Sequence, residues 1–434
     1  MTLVTKKIRT SLILQFMLCG LFTFGQNATT PSSIYQSVKS HTEEIFDSLV
    51  KIRRDFHMNP EISKQEKRTS KVVAEYLRNL GLEVKTNVGG YGVVGILKGG
   101  KKGRKIAWRA DIDAMPSDAP DVVDFASKNE GVRHICGHDV HTTIALGIAN
   151  VLSQQKEDLE GTVYFIFQPA EEMASGAKDM IADGLFDIIK PDEIYGLHIG
   201  PEASGTINYK SNELFAYQRS LKINFKSSNN EKELEHFMNT LLKSFARNIK
   251  YNGSPWDLIN KTVDPTIGIG SKETIFKDYF ILQGTSFNKG EEINVYNASF
   301  LETNREKAES IPSVIKKQIL NSKYKDAFIS IENSKRDLTP INDPKLTNIS
   351  AKTLRNTYKK EMVKQMYGQV PFFGEDFIYY QQKVPGVFFF LGGSDIEKGI
   401  ISMPHTPNFA VDEKTIKYGV QSFATLIFAR TNSK

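Results

Sequence analysis

The chain has 434 residues and a mass of 48.9 kDa, 40% hydrophobic and 24% charged, which describes a globular protein with material for two or three domains and excludes a disordered tail, a collagen or a polytopic membrane protein. Its formal charge of +6 comes from 56 basic against 50 acidic residues. Without Lys6, Lys7 and Arg9, which sit in an apparent leader, the balance is 53 against 50, or +3, too small and too dispersed to point to a nucleic-acid partner.

The basic cluster is followed by an apolar run over residues 12–24, too short to span a bilayer, and by the small Gly25 before Gln26. This is the layout of a secretory signal peptide, so the expectation is an exported protein, periplasmic or extracellular, starting at Gln26. Leu18 stands before Cys19 where lipoprotein processing needs a small residue, which argues against a lipid anchor. Cys19 would leave with the leader, and Cys136 would be the mature chain's single thiol. A lone cysteine is either a small buried hydrophobe or a thiolate held by a metal.

Between residues 41 and 80 apolar positions recur at helical spacing, first Ile45, Leu49, Ile52 and Phe56, then Val72, Val73, Tyr76, Leu77 and Leu80, with Gly81 as the stop. Strands are predicted at 93–97, 105–108, 162–167 and 193–198, alternating with helices at 142–152 and 177–181. That alternation is the pattern of an α/β domain with a mostly parallel sheet. Near Tyr217 the style changes to a strand at 220–225, a helix at 232–245, further strands and a helix at 311–320. After the loop at 338–344 a helix at 344–358, an apolar run at 387–391 and a helix at 413–428 restore the first style. The expected organisation is therefore a leader over 1–25 and one α/β domain formed by 26–216 and 332–434. A smaller α+β domain over 217–331 interrupts it.

The densest chemistry is His134-Ile135-Cys136-Gly137-His138-Asp139-Val140-His141, three histidines, a thiol and a carboxylate at the mouth of a predicted helix. Imidazole with thiolate suits zinc or a similar transition metal. Taken singly, His134 and His141 fit a surface or helix-capping role equally well. In Phe167-Gln168-Pro169-Ala170-Glu171-Glu172 a strand ends in proline and two adjacent carboxylates. Such a pair is common on solvated faces, but at a strand's C-terminal end one carboxylate can ligate a metal while the other reaches an attacking water. His198 ends another strand, Asp111 and Asp113 follow the strand at 105–108, and His405 lies in Pro404-His405-Thr406-Pro407. Cysteine, glutamate and three histidines exceed the four ligands of one tetrahedral zinc, so two metals sharing a group is the economical reading. No Gly-x-Ser-x-Gly elbow, phosphate loop or dinucleotide fingerprint stands in a suitable strand-turn-helix context, and Gly89-Gly90-Tyr91-Gly92 reads as a turn.

Together with Arg53-Arg54-Asp55-Phe56-His57-Met58-Asn59-Pro60-Glu61 and Gly374-Glu375-Asp376-Phe377, these motifs closely resemble the metallopeptidase-like amidohydrolases that hydrolyse N-acyl amino acids. That group includes aminoacylases, hippurate hydrolase, indole-acetyl-amino-acid hydrolases and N-acetyldiaminopimelate deacetylase. The likeness covers most of 41–212 and about 338–430. It implies a catalytic domain of di-metal exopeptidase type, interrupted by a lid domain of the kind that pairs subunits into homodimers. It makes Cys136 the thiolate shared by two divalent metals, zinc or manganese, with His138, Glu172, His198 and His405 as the other ligands. Glu171 becomes the general base and Asp113 the carboxylate that orients a ligand. The implied substrate is a small N-acyl amino acid or dipeptide-like amide, the products a carboxylic acid and a free amino acid.

The lid departs from the resemblance. Where the family has a Gly-rich segment with a histidine that reaches across the dimer, this chain reads Lys226-Ser227-Ser228-Asn229-Asn230, and the nearest histidine, His236, falls on a predicted helix. Asn294 in Asn294-Val295 keeps a family position expected to contact substrate, and the family's arginine falls at Arg305. Loss of an oxyanion-stabilising histidine costs on the order of 3 kcal/mol, about a hundredfold in rate. The rival expectation is therefore a metal-bearing binding protein with lost or altered turnover, against which the retained general base speaks.

Overall fold

The computed structural model describes residues 31–227, 230–251 and 253–433. The expected leader over 1–25 lies outside the described residues. An eight-stranded sheet organises the molecule, in the spatial order Glu83–Val88, Gly92–Lys98, Glu160–Gln168, Lys101–Asp111, Glu193–Ala203, Gly386–Ser394, Ile207–Tyr209 and Val363–Gln365. The four central strands run parallel to one another, while antiparallel pairs lie towards both edges. Apolar residues fill these central strands on both faces because both faces are covered. In Glu160–Gln168, Val163, Phe165 and Phe167 enter one core and Tyr164 and Ile166 the other; in Lys101–Asp111, Ile106, Trp108 and Ala110 oppose Ala107 in the same way.

One face is covered by the helices Pro31–Met58, Lys67–Asn79, His138–Gln154, Pro344–Thr357 and Lys414–Thr431. His138–Gln154 is buried along almost its whole length, wedged between the sheet and two other helices, which explains why its sequence is apolar all round rather than on one stripe. It touches Lys414–Thr431 where both carry glycine: a Cβ on Gly147 would meet Val420 at 2.5 Å, and one on Gly419 would meet Ile144 at 2.7 Å. The other face carries Gly176–Ala182, Leu185–Ile188 and Ile378–Gln381.

The chain enters the sheet's middle at Lys101–Asp111, crosses through His138–Gln154 to Glu160–Gln168 on one side, and returns to Glu193–Ala203 on the other. Successive crossovers thus leave in opposite directions, and the crevice at the C-terminal ends of these strands is where open α/β sheets bind ligands.

Residues from Tyr217 onward build a second, antiparallel sheet, ordered Phe280–Asn288, Ile293–Glu302, Tyr217–Lys226, Phe328–Arg336. Helices Glu231–Lys243 and Arg305–Leu320 cover one face, and Leu221, Ile223 and Phe225 meet Leu234, Met238, Ile311 and Ile315 in a core of their own. Its last strand runs to Arg336, past the expected boundary at 331, because the ladder with Tyr217–Lys226 continues to Gln218 opposite Arg336. Arg305–Leu320 begins well before the expected 311, since the Asn304 side chain caps it by accepting from the Lys307 N–H at 2.9 Å. Helix Pro255–Thr262, which the sequence reading did not anticipate, falls in the chain between Glu231–Lys243 and Phe280–Asn288.

Candidate metal centre and active site

Cys136 and His138 reach the crevice through the start of helix His138–Gln154. Gly137 between them has φ +92°, and a Cβ there would sit 3.3 Å from Phe409 and 3.4 Å from Ile199, so the turn that aims both side chains requires glycine. Glu171 and Glu172 follow an elbow at the end of Glu160–Gln168. Ala170 at φ +52° and Ala174 at φ +51° flank them, and the Ala170 N–H donates to Glu66 at 2.8 Å. His405, itself at φ +61°, is fixed by its backbone N–H to the Ile135 carbonyl at 2.8 Å. Left-handed conformations in non-glycine residues cost energy and gather at sites whose surroundings enforce them.

These elements converge. The Cys136 sulfur lies 3.2 Å from His198 Nε2 and 3.1 Å from His405 Nε2. His405 Nε2 is also 3.3 Å from Glu172 Oε1, and His138 Nε2 is 3.9 Å from both Glu171 and Glu172. Two donor groups, Cys136 with His138 and His198, and Cys136 with Glu172 and His405, therefore share the thiol.

The rings are held for ligation. His138 Nδ1 donates to the Asp113 carbonyl at 2.8 Å and lies 3.2 Å from the Asp113 carboxylate, while His198 Nδ1 donates to the Ile199 carbonyl at 2.8 Å. Each ring thus turns Nε2 towards the cluster. His138 Nε2 is buried and has no hydrogen-bond partner among the described residues, an orphaned polar atom that a divalent cation would satisfy. Asp113 accepts from the Ser63 hydroxyl at 2.6 Å and from the Glu172 N–H at 3.1 Å, so one carboxylate aligns both His138 and Glu172.

Burial, then the neighbouring His141, pushes His198 down to about 3, leaving the neutral ring that binds metals. Burial works against ionisation of Glu172, but the His405 hydrogen bond and the His138 charge bring it down to about 2. Glu171 behaves oppositely: burial, then Glu375, Asp376 and Glu172, raise it well above the usual carboxylate range. Its side chain has no hydrogen-bond partner among the described residues.

A second layer lies behind the donors. Arg109, fully buried on its strand, donates to Gln168 at 2.9 Å, Asp111 at 2.6 Å, Glu375 at 2.9 Å and Asp376 at 3.0 Å. His141 joins Asp111 at 2.7 Å through Nδ1 and accepts the Ile199 N–H at 2.9 Å through Nε2. Both its ring nitrogens are engaged, so His141 ties the His198 strand to Asp111, a role neither on the surface nor at a cap. His134 is buried with neither ring nitrogen bonded among the described residues, and burial pushes it down to about 4. On the far side of the helix start, His57 bridges Asp139 at 2.8 Å and Asp121 at 3.1 Å, with Arg53 against Asp139 at 2.9 Å.

Residues 107–429 match the family described as Peptidase family M20/M25/M40. The chain belongs to that family. Membership makes it a metal-dependent hydrolase, the class expected from the motifs. Among relatives, thermostable carboxypeptidase 2 of Saccharolobus solfataricus is 32% identical over 412 residues, covering 92% of this chain and 99% of its own. N-acetylcysteine deacetylase of Bacillus subtilis is 32% identical over 397 residues, covering 87% and 95%. The solved structure of Bacillus subtilis YXEP, described as a dinuclear metal binding peptidase from the M20 family, superposes with a TM-score of 0.72 at 26% identity, covering 90% of this chain and 99% of that one.

In this M20 chain the donors open into a cavity of about 400 Å³, within the range of roughly 300–1,000 Å³ usual for small-molecule sites. Cys136, Glu171, Glu172, His198 and His405 line it, with Glu375 from the buried network. Of the expected site residues, Asn294 is not brought there. It is fully buried in the second sheet, accepting from the Gly290 N–H at 3.2 Å and donating to Glu231 at 3.2 Å, so its amide is occupied in shaping the turn before its own strand. Arg305 is exposed at the start of its helix and His236 is exposed on Glu231–Lys243; neither lines the cavity. Sequence reasoning missed the role of Arg109, although an arginine between Trp108 and Ala110 in a buried strand is itself the signal, since such a charge must find buried partners.

Proposed function

We propose that the protein hydrolyses the amide bond of small N-acyl amino acids or dipeptide-like amides, releasing a carboxylic acid and a free amino acid. The observation that carries the proposal is Glu171: a cavity-lining carboxylate with no hydrogen bond of its own, 3.9 Å from a ligand-type histidine and beside a donor set that shares one thiol. Relatives named as deacetylases and amino acid hydrolases lend support. Cys136, His138, Glu172, His198 and His405 would hold two divalent ions, zinc or manganese, with Cys136 common to both. When bound, these ions supply polarisation of the amide carbonyl and acidification of a water.

Glu171 takes the proton from the attacking water and delivers it to the leaving amine nitrogen. Asp113 and the Ile199 carbonyl fix the tautomers of His138 and His198 during this transfer. We propose further that the chain is exported through its N-terminal apolar run, a reading checked by the N-terminal sequence of the mature protein. Pairing through the second sheet's domain is checked by its mass in solution. Among the described residues no helix is long and apolar enough to cross a membrane.

The test is free-amine release from N-acetyl, N-benzoyl and dipeptide substrates by the chain from Gln26 onward, loaded with zinc or manganese, beside Glu171→Ala. Turnover that falls by about a hundredfold or more in the variant supports the general base. No turnover on any substrate by protein carrying its full metal complement refutes the hydrolase and leaves a metal-bearing binding protein.

A further inference from the structure

The wall of the cavity opposite the metal donors is built by a segment that supplies no chemistry. Helix Pro255–Thr262 and the turns after it present Trp256, Ile259, Val263 and Ile269 to the cavity. Trp256 and Val263 line the cavity and remain 43% and 47% exposed, so their apolar surface is open to a ligand there. Nor is the segment loose. Leu258, Ile269 and Phe276 join the core on that face of the large sheet, the Tyr367 N–H donates to the Ile269 carbonyl at 2.7 Å, and the Gln369 N–H donates to the Phe276 carbonyl at 2.9 Å. A rigid scaffold therefore holds an apolar surface open towards the reacting centre.

The same cavity contains one arginine or lysine among its described lining residues, Arg336 at the end of the second sheet's last strand. The nearby acids are already taken: Asp337 pairs with Arg219 at 2.6 Å, and Glu309 pairs with Arg219 and Lys335. No carboxylate of the described residues lies within 4.0 Å of Arg336. Against it stand the cavity's carboxylates, Glu171, Glu172, Glu202 and Glu375. An anionic substrate entering this site has one arginine, among the described lining residues, to meet outside the metal cluster.

We infer that the preferred substrate of this site carries a bulky apolar group, taken up by the Trp256, Ile259, Val263 and Ile269 wall, and a free carboxylate, taken up by Arg336. The inference rests on the amidohydrolase reading and deepens it: a bare N-acetyl amino acid with a small side chain leaves the wall uncovered. The apolar group is supplied either by the acyl moiety or by the amino-acid side chain, and the test separates them.

The metal-loaded enzyme is assayed on N-benzoylglycine, N-acetylphenylalanine, N-acetylglycine and N-benzoylglycinamide. The wild type is expected to favour at least one bulky substrate over N-acetylglycine by about tenfold or more in kcat/KM, and which one identifies the group that meets the wall. Trp256→Ala collapses that ratio towards one. Arg336→Gln collapses the preference for N-benzoylglycine over its amide, chiefly through KM and by about tenfold, and Arg336→Lys recovers part of it. Equal use of N-acetylglycine, or preferences that survive both substitutions, overturns the inference. Binding of N-benzoylglycine to metal-loaded Glu171→Gln, alone and combined with Trp256→Ala or Arg336→Gln, is followed in parallel by titration calorimetry. Binding that depends on Trp256 and Arg336 without turnover on any substrate sinks the hydrolase reading and keeps this one. Absence of such binding sinks the inference itself.

Discussion

Replacing Arg109 with methionine keeps the volume of a buried side chain and removes its charge from between Asp111, Glu375 and Asp376. Four charge-assisted hydrogen bonds, at 2.6 to 3.0 Å, are lost at a site that is 1% exposed. Breaking a buried pair by deleting one partner costs about 3–5 kcal/mol, because the remaining charges stay desolvated. With an unfolding entropy near 2.1 cal/mol/K per residue, roughly 400 residues unfolding together give about 0.8 kcal/mol/K, so the melting temperature should fall by about 4–6 °C. The loss should also depend on pH. Burial, against the pull of Arg109, pushes Glu375 up to about 8 and Asp376 up to about 6, above their unfolded values near 4. A raised carboxyl stabilises the fold fully below its unfolded pKa, and that contribution fades as pH rises through the folded value. Removing Arg109 raises both groups further, so the deficit of the variant should be smaller at pH 5, where both are protonated in either protein and the lost pairing with Asp111 remains, than at pH 8.5, where it nears its full size. Urea denaturation of metal-free wild type and Arg109→Met at the two pH values measures this. A deficit below about 1 kcal/mol at pH 8.5, or one equal at both, refutes the view that Arg109 offsets the burial of these acids and favours their ionised forms.

Gly137→Ala forces a side chain onto φ +92° and against Phe409, so it should cost about 1–2 kcal/mol and reduce the metal retained after dialysis; unchanged melting and metal content would show that the turn relaxes freely. Asp113→Ala removes the acceptor shared by His138, Ser63 and the Glu172 N–H while leaving the Asp113 carbonyl on His138, and about a tenfold loss in metal affinity is expected by competition with a chelator. Burial disfavours charge on His57, but its hydrogen bonds to Asp121 and Asp139 raise it above its ordinary value. Its stabilising contribution is present below pH 6.5 and lost as pH rises through the folded value, so the stability gap between wild type and His57→Gln should narrow from pH 6 to pH 9. A gap that widens over that range would reverse the assignment.

The parts of the fold that sequence made legible are those whose periodicity reports burial on known faces. The strands around Trp108, Phe165 and Tyr195 and the helices around Ile144 and Phe423 fall where the apolar runs place them. Polar strand ends were not legible: Lys101 pairs with Glu160 well before the run that begins at Lys105, because backbone pairing there asks nothing of the side chains. The helix expected from residue 311 starts instead at the Asn304 cap, and Pro312 sits inside it. In the site, Cys136, His138 and the Glu171–Glu172 pair announce themselves because their spacing in the chain is their spacing in space. The bond from Arg109 to Glu375 joins residues 266 apart, and no local pattern carries it. Pro255 after Ser254 was a readable helix start, but that its helix walls the cavity depends on tertiary packing alone.

The strand Gly386–Ser394 sits mid-sheet, between Glu193–Ala203 and Ile207–Tyr209, although it is nearly the last element made. A ribosome that has released only the first three hundred or so residues presents a nascent sheet with a bare parallel edge at Glu193–Ala203, the kind of surface that recruits other strands. His405 lies eleven residues after the strand's end at Ser394, so the last of the candidate donors is made just after the residues that close the edge. With His405 among the proposed ligands, metal uptake would report on completed synthesis, since a truncated copy that lacks the inserted strand lacks His405 as well.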